Sequence, residues 1–244
     1  MIAENIENIR RHIREVCDAC GRDPNEIQLI AVSKTKVARD IEEASRAGIL
    51  DFGESYVQEL EKKQKTLAGV PLRWHFVGHL QTNKVKYIAE YVHLVHSVDN
   101  LRVAEELHKR GIQCERVLDI LIEVHSTDEA TKCGVLPRDV LGFVKSISPL
   151  SGIRIQGLMT MGPFSEDPED SRTSFRIVQE LREKIRREGI ERVSVDQISM
   201  GMSHDYEVAI QEGATILRIG TAIFGKRLIE RKSGITDRSD RTIL

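Results

Sequence analysis

The chain has 244 residues, of which 40% are hydrophobic and 30% charged, and a formal net charge of −2; that length suits one α/β barrel better than two domains. The near-balanced charge gives no reason to expect nucleic acid or a membrane as partner, and Met1-Ile2-Ala3-Glu4-Asn5 lacks the basic and apolar regions of a signal peptide. With no apolar run near membrane-spanning length and only four cysteines, a cytoplasmic, reducing setting is expected.

Ile2, Ile6, Ile9, Ile13, Val16 and Cys20 recur at spacings of four and three, predicting an amphipathic helix over 1–21 that stops at Gly21 and Pro24. This helix is additional to the pattern that follows and is expected to pack on the barrel wall or cap one end, since fewer than three heptads make a marginal coiled coil. Short β-branched runs then predict strands at Ile27 to Ser33, Ile49 to Phe52 (the weakest), Arg73 to Val77, His93 to Ser97, Val117 to Val124, Ile153 to Leu158, Val193 to Ile198 and Thr215 to Ile219. Helical patterns lie between them. One starts at Asp167-Pro168-Glu169-Asp170, runs through Phe175, Val178, Leu181 and Ile185, and stops at Gly189. Eight apolar runs joined by helices imply parallel strands covered on both sides, hence α/β class and a single (β/α)8 TIM barrel with an extra N-terminal helix. An open flavodoxin-like sheet, the runner-up, leaves about three strands unplaced. The barrel is expected to occupy 1–226, and 227–244 to be a tail or short helix.

The chemistry begins at Lys34, an amine at the end of the first strand, and at two Gly/Ser/Thr loops, Ser199-Met200-Gly201-Met202-Ser203 and Arg218-Ile219-Gly220-Thr221. Such an amine can form a Schiff base, and such loops leading into helices can hold a phosphate; together they suggest pyridoxal phosphate. Barrel closure sets strand one beside strand eight, so the three segments become neighbours at the face where these barrels carry their sites. Each has a plainer reading. Lys34 could be a solvated charge. Lys36 shares its face and lowers its pKa if the strand persists, or is merely exposed if the chain turns at Thr35. Gly201 and Ser203 could be a tight turn and N-cap, with Asp205 and Glu207 complementing the helix dipole. Arg218 either points into the mouth, where its charge would disfavour protonation of a pyridine nitrogen, or pairs with a carboxylate at the rim.

Metal signals are weaker. Cys17-Asp18-Ala19-Cys20 has CxxC spacing, but Cys20 belongs to the apolar stripe and no second CxxC follows. His75 and His79 are spaced HxxxH at a strand end, and His93 and His96 would face opposite sides of a strand. No metal is expected.

Ala31-Val32-Ser33-Lys34-Thr35-Lys36, Phe52-Gly53-Glu54-Ser55-Tyr56-Val57-Gln58-Glu59, Trp74-His75-Phe76-Val77-Gly78-His79-Leu80-Gln81-Thr82-Asn83-Lys84, Gly157-Leu158-Met159, Ser199-Met200-Gly201-Met202-Ser203 and Arg218-Ile219-Gly220-Thr221-Ala222-Ile223-Phe224-Gly225 together resemble the pyridoxal phosphate homeostasis protein family. The resemblance covers the chain from the first helix to about residue 226. It implies the barrel of the alanine racemase N-terminal domain (fold type III of pyridoxal phosphate proteins), with Lys34 joined to pyridoxal 5'-phosphate as a Schiff base and Arg218 facing the pyridine nitrogen. Ser199, Gly201, Ser203, Gly220 and Thr221 match the phosphate cup. Ser55 stands where the family usually has an asparagine against the ring; His79 stands where proline or another residue is more usual, and His204 lies at a variable place. The implied role is intracellular cofactor homeostasis affecting amino-acid and 2-oxo-acid pools, with apo-enzymes as recipients and the protein a monomer. About twenty residues after Gly225 cannot form the second domain that a racemase uses for its opposing base, so a carrier is favoured over an enzyme. Two rivals are a low-activity racemase recruiting Tyr56, His75 or His204 as base, and a cofactor-free Schiff-base aldolase using the same lysine and phosphate loops.

Overall fold

All eight predicted runs form strands, as expected of Val/Ile/Leu segments covered on both faces. The structure, a computed structural model, describes residues 1–127, 129 and 133–225, so the expected tail at 227–244 lies outside the described residues. The strands are β1 (Gln28–Val32), β2 (Asp51–Glu54), β3 (Arg73–Phe76), β4 (Val92–Val98), β5 (Leu118–Glu123), β6 (Ile153–Met159), β7 (Val193–Ser199) and β8 (Ile216–Ile219). Each pairs in parallel with the next, and β8 pairs with β1 to close the barrel. The described α-helices are α1 (Ile2–Cys20), α2 (Ala38–Arg46), α3 (Val57–Thr66), α4 (Leu101–Gln113), α5 (Val140–Ile147), α6 (Arg172–Glu188), α7 (Tyr206–Gln211) and α8 (Thr221–Phe224), with short 3-10 turns over Pro24–Glu26, Thr82–Tyr87 and Pro168–Ser171. None of the described helices is long and apolar enough to cross a membrane.

Helix α1 packs against α2, α7 and α8, burying Ile6, Ile9, Ile13, Val16 and Cys17. Each such side chain stabilises the docked helix by about 1.5–3 kcal/mol. Asn5 Nδ2 donates to the Ile223 carbonyl at 2.9 Å, tying α1 to the helix that follows β8. Gly21, at φ 72°, ends α1 in the left-handed conformation. One expectation fails here: Cys20 is exposed and Cys17 takes the core position, because four residues on from Ile13 the buried face passes through 17 and the helix ends one turn later.

The α6 pattern holds, with Phe175, Val178, Leu181 and Ile185 buried and Gly189 at φ 58°, although a 3-10 turn over Pro168–Ser171 precedes the α-helix. The core has two parts. A large cluster lies between strands and helices, while Ile30, Leu94, Leu121, Met159 and Ile216 form a small separate one inside the barrel. A register shift between Trp74 and His75 makes His75 pair with Leu94 while Trp74 pairs with Val92. His93 is therefore the extra residue of a bulge, and the expected opposition of His93 and His96 does not hold: both rings lie 5.2 Å from that of His75.

Candidate functional site

Strand β1 ends in a turn, with Lys36 N donating to Ser33 O at 2.9 Å and Thr35 at φ 67°. The chain therefore turns at Thr35, and Lys36 does not share a face with Lys34; its ammonium instead reaches the Phe224 and Gly225 carbonyls at 3.0 and 3.3 Å. A left-handed conformation at a threonine costs about 1–3 kcal/mol, so the surroundings must impose it. They do so through Lys63 of α3, whose Nζ donates to Ser33 O, Glu54 Oε1 and Glu59 Oε1, each at 2.7 Å. Ser33 Oγ donates to Glu54 Oε1 at 2.6 Å, and Thr35 N to Glu59 Oε1 at 2.6 Å. Burial raises the pKa of Glu54, against the opposing pull of Lys63. This buried clamp fixes the turn that carries Lys34.

On the other side of the β1 and β8 seam, Gly201 adopts φ 89°, and a Cβ there would meet the Ala209 Cβ at 2.6 Å. The turn it allows lets the Gly201 carbonyl accept from Arg218 N at 3.0 Å. Ser203 is not the N-cap of α7, a position held by Asp205. Its hydroxyl instead accepts from Ala222 N at 3.3 Å, linking the loop after β7 to the start of α8. Asp205 is itself buried and accepts from Met202 N and from the Ser171 hydroxyl.

These loops enclose a cavity of about 460 Å³ at the C-terminal mouth of the barrel, lined by Lys34, Ser55, Ser203, Arg218, Gly220 and Thr221 together with Val32, Val77, Met161, Phe164, Met202 and His204. A larger cavity of about 770 Å³ opens at the opposite end, among Arg22, Gln28, Arg182 and Thr215. It lies by the starts of strands, whereas barrels of this kind place their sites at strand C-termini. Gly78 backs Ser55 from outside the cavity, because a Cβ there would stand 2.3 Å from the Ser55 carbonyl oxygen.

Arg218 is 5% exposed and, among the described residues, forms no ion pair. Its Nη1 donates to Ser199 Oγ at 2.6 Å and its Nη2 to Thr160 O at 2.8 Å. Burial lowers its pKa to about 10, with Asp205 and Glu123 opposing, so it stays cationic at neutral pH. Behind it runs a buried chain of contacts: Ser199 Oγ to His96 Nδ1 at 2.9 Å, His96 Nε2 to His75 Nδ1 at 3.0 Å, and His75 Nε2 to Asp51 Oδ1 at 2.9 Å. Arginine can only donate and an ionised carboxylate only accept, so the two ends fix every donor between them. Arg218 donates to Ser199, Ser199 to His96, His96 to His75, and His75 to Asp51. Burial works against the charge on Asp51, but hydrogen bonds from His75 and Arg73 outweigh it and hold its pKa down. Burial also depresses both imidazoles, His96 strongly, leaving them neutral as the chain requires. A cation at the mouth is thus linked to an anion across the barrel through neutral, oriented groups.

Residues 4–227 match the alanine racemase N-terminal domain family. A pyridoxal phosphate homeostasis protein of Aquifex aeolicus is 43% identical over 92% of this chain and 97% of its own length. The one from Pseudomonas aeruginosa is 42% identical over 93% and 96%. The chain belongs to the pyridoxal phosphate homeostasis protein family. Among solved structures, PipY of Synechococcus elongatus with PLP bound superposes with a TM-score of 0.81 at 32% identity, covering 92% of this chain and all of that one (100%). Alanine racemase from Corynebacterium glutamicum, at 14% identity and a TM-score of 0.67, shares the fold alone.

Of the residues that the family resemblance singles out, Lys34, Ser55, Ser203, Arg218, Gly220 and Thr221 meet at the cavity. Ser199 and Gly201 do not line it. The Ser199 hydroxyl is taken up between Arg218 and His96, and Gly201 is held back against Ala209 by its turn. Of the three candidate bases, only His204 reaches the cavity; His75 lies within the buried relay, and Tyr56 lines a separate groove with Gln81 and Lys84. The sequence assigns no role in the site to Lys63, Glu54, His96, Asp51 or the apolar wall of Met161 and Phe164. The one available signal was the i, i+4 spacing of Glu59 and Lys63.

Proposed function

We propose that the chain holds pyridoxal 5'-phosphate at this mouth and serves intracellular cofactor homeostasis, keeping and delivering the cofactor and so influencing amino-acid and 2-oxo-acid pools. The observation that carries this reading is the convergence of Lys34, Arg218, Ser203 and Thr221 on one cavity of about 460 Å³. The residues fit the group. A buried guanidinium that donates to a hydroxyl and a carbonyl suits an uncharged ring nitrogen, and two hydroxyls beside Gly220 suit a phosphate. The names of the relatives and the PLP-bound PipY structure support the same reading.

When bound, this cofactor supplies an aldehyde for amines and a ring that draws electrons. Lys34 offers the amine that would hold it covalently, on a turn fixed by Lys63. Arg218, oriented by Ser199, holds a permanent positive charge toward the ring and so opposes protonation of the ring nitrogen. Ser203 and Thr221 would hold the phosphate, and Ser55 together with Val32 and Val77 would bound the ring. Apo-enzymes are the proposed recipients. The test is visible absorption of protein loaded with pyridoxal phosphate and freed of excess: a band present in the parent chain and absent in Lys34→Ala is expected. Undiminished absorption and borohydride trapping in Lys34→Ala would refute the anchor.

A further inference from the structure

Across the mouth from Lys34, the loops after β3, β4 and β5 bring together three side chains with no part in the cavity just described. His79, Asp99 and Cys133 each offer one ligand atom, and all three atoms lie within 4.8 Å of one another. His79 Nδ1 and Asp99 Oδ2 are 3.8 Å apart, too far for a hydrogen bond. The Asp99 carboxylate is already oriented, because Asn100 Nδ2 donates to its other oxygen, Oδ1, at 2.6 Å. Beside the trio, Glu123 is only 4% exposed, and among the described residues its side chain makes no hydrogen bond or ion pair. It shares a small cavity with Cys133, so a buried carboxyl stands beside the thiol.

We propose that His79, Asp99 and Cys133 bind a divalent transition-metal cation of the zinc class, with Glu123 behind them and a fourth position open to water. Imidazole, carboxylate and thiolate form the donor set that borderline cations favour over magnesium or calcium. Tetrahedral bonds of about 2.0–2.1 Å to nitrogen and oxygen would set those two atoms roughly 3.3 Å apart. The observed pair therefore closes by about half an ångström, a movement that side-chain torsions of an exposed histidine supply. Binding replaces the S–H bond of Cys133 by a sulfur–metal bond and releases the proton to solvent. The cation would pin three separate loops at the rim beside the cofactor cavity, the two cavities sharing Met161. A second trio, Asp51, His75 and His93, has similar spacing but is a poorer site. Asp51 is already paired with Arg73 and His75, and His75 with His96.

The site is tested by titrating the reduced, chelator-stripped full chain with Co²⁺ and Zn²⁺. One Co²⁺ per chain is expected, with a thiolate-to-cobalt charge-transfer band in the near ultraviolet. Cys133→Ser should abolish that band, and His79→Ala should weaken affinity by roughly tenfold or more, as loss of a direct ligand requires. Zn²⁺ should raise the melting temperature of the parent chain but not of Cys133→Ser. Both altered side chains are exposed, so equal melting temperatures in chelator would show that the variants are folded. Absence of stoichiometric binding, or a band that survives Cys133→Ser and so arises from Cys17, Cys20 or Cys114, would overturn the proposal.

Discussion

Replacing Lys63 by methionine isolates the clamp beneath Lys34. The substitution keeps the apolar stem and removes an ammonium that donates to three oxygens at 2.7 Å. Glu54, with its side chain 0% exposed and Oε2 already without a partner, would keep only the Ser33 hydroxyl. Removing one partner of a buried ion pair costs about 3–5 kcal/mol. In a chain of this size each kilocalorie corresponds to about 2–4 °C, so the melting temperature should fall by roughly 6–20 °C. The deficit should depend on pH with a definite sign. The pKa of Glu54 is already raised by burial despite Lys63, and losing Lys63 raises it further. The folded variant then binds a proton that its unfolded chain does not, so its deficit should shrink as pH falls from about 8 to about 5. Lys63→Met combined with Glu54→Gln, neutral yet still able to accept from Ser33, should recover more than half of the loss. Thermal unfolding across that pH range, with cofactor absorbance followed in parallel, measures both stability and the placing of Lys34. A single variant within about 1 kcal/mol of the parent chain, or a double variant less stable than the single, would refute the reasoning.

The relay predicts acid lability. His75 and His96 are kept neutral by burial, whereas unfolded histidine takes up a proton near pH 6.5. Their contribution to stability is therefore complete above about pH 6.5 and falls below it, by up to about 1.4 kcal/mol per pH unit for each histidine. Glu123 works in the opposite sense: burial, reinforced by Asp99, raises its pKa to about 7, so its folded form gains relative stability as pH drops. Glu123→Gln should thus steepen the acid loss, read from melting temperatures between about pH 7.5 and 5 with a chelator present; a flat profile in that variant would contradict neutral histidines. Gly78→Ala drives a methyl against the Ser55 carbonyl, at a cost of about 1–3 kcal/mol. Because Ser55 lines the cavity, retention of pyridoxal phosphate on dialysis should weaken, and unaltered retention would remove Ser55 from the site.

The barrel was legible because its signal is local. Apolar runs such as Val117 to Val124 need cover on both faces, and eight of them in one chain allow little besides closure. Closure then made Lys34 a neighbour of Gly220 although 186 positions separate their numbers, as the pairing of β1 with β8 bears out. The fate of Lys36 turned on one dihedral angle. A strand continuing through Thr35 and a turn at Thr35 read alike in sequence, and the left-handed threonine is held by Glu59, 24 residues away. Lys63 was hidden for a related reason: Glu59-Leu60-Glu61-Lys62-Lys63-Gln64-Lys65 reads as a solvated helical face, and only the packing of α3 against β2 shows that one of its three lysines is buried. Ser199 shows the limit from the other side. Its motif places it with the phosphate loops, but it is the last residue of β7, and its hydroxyl lies between Arg218 and a histidine 103 positions away. Strand alternation could assign it a face, but not a partner on the far wall. Partners inside a barrel are chosen by closure and register together, and the bulge at His93 changes the register of β4 without any glycine or proline there to announce it.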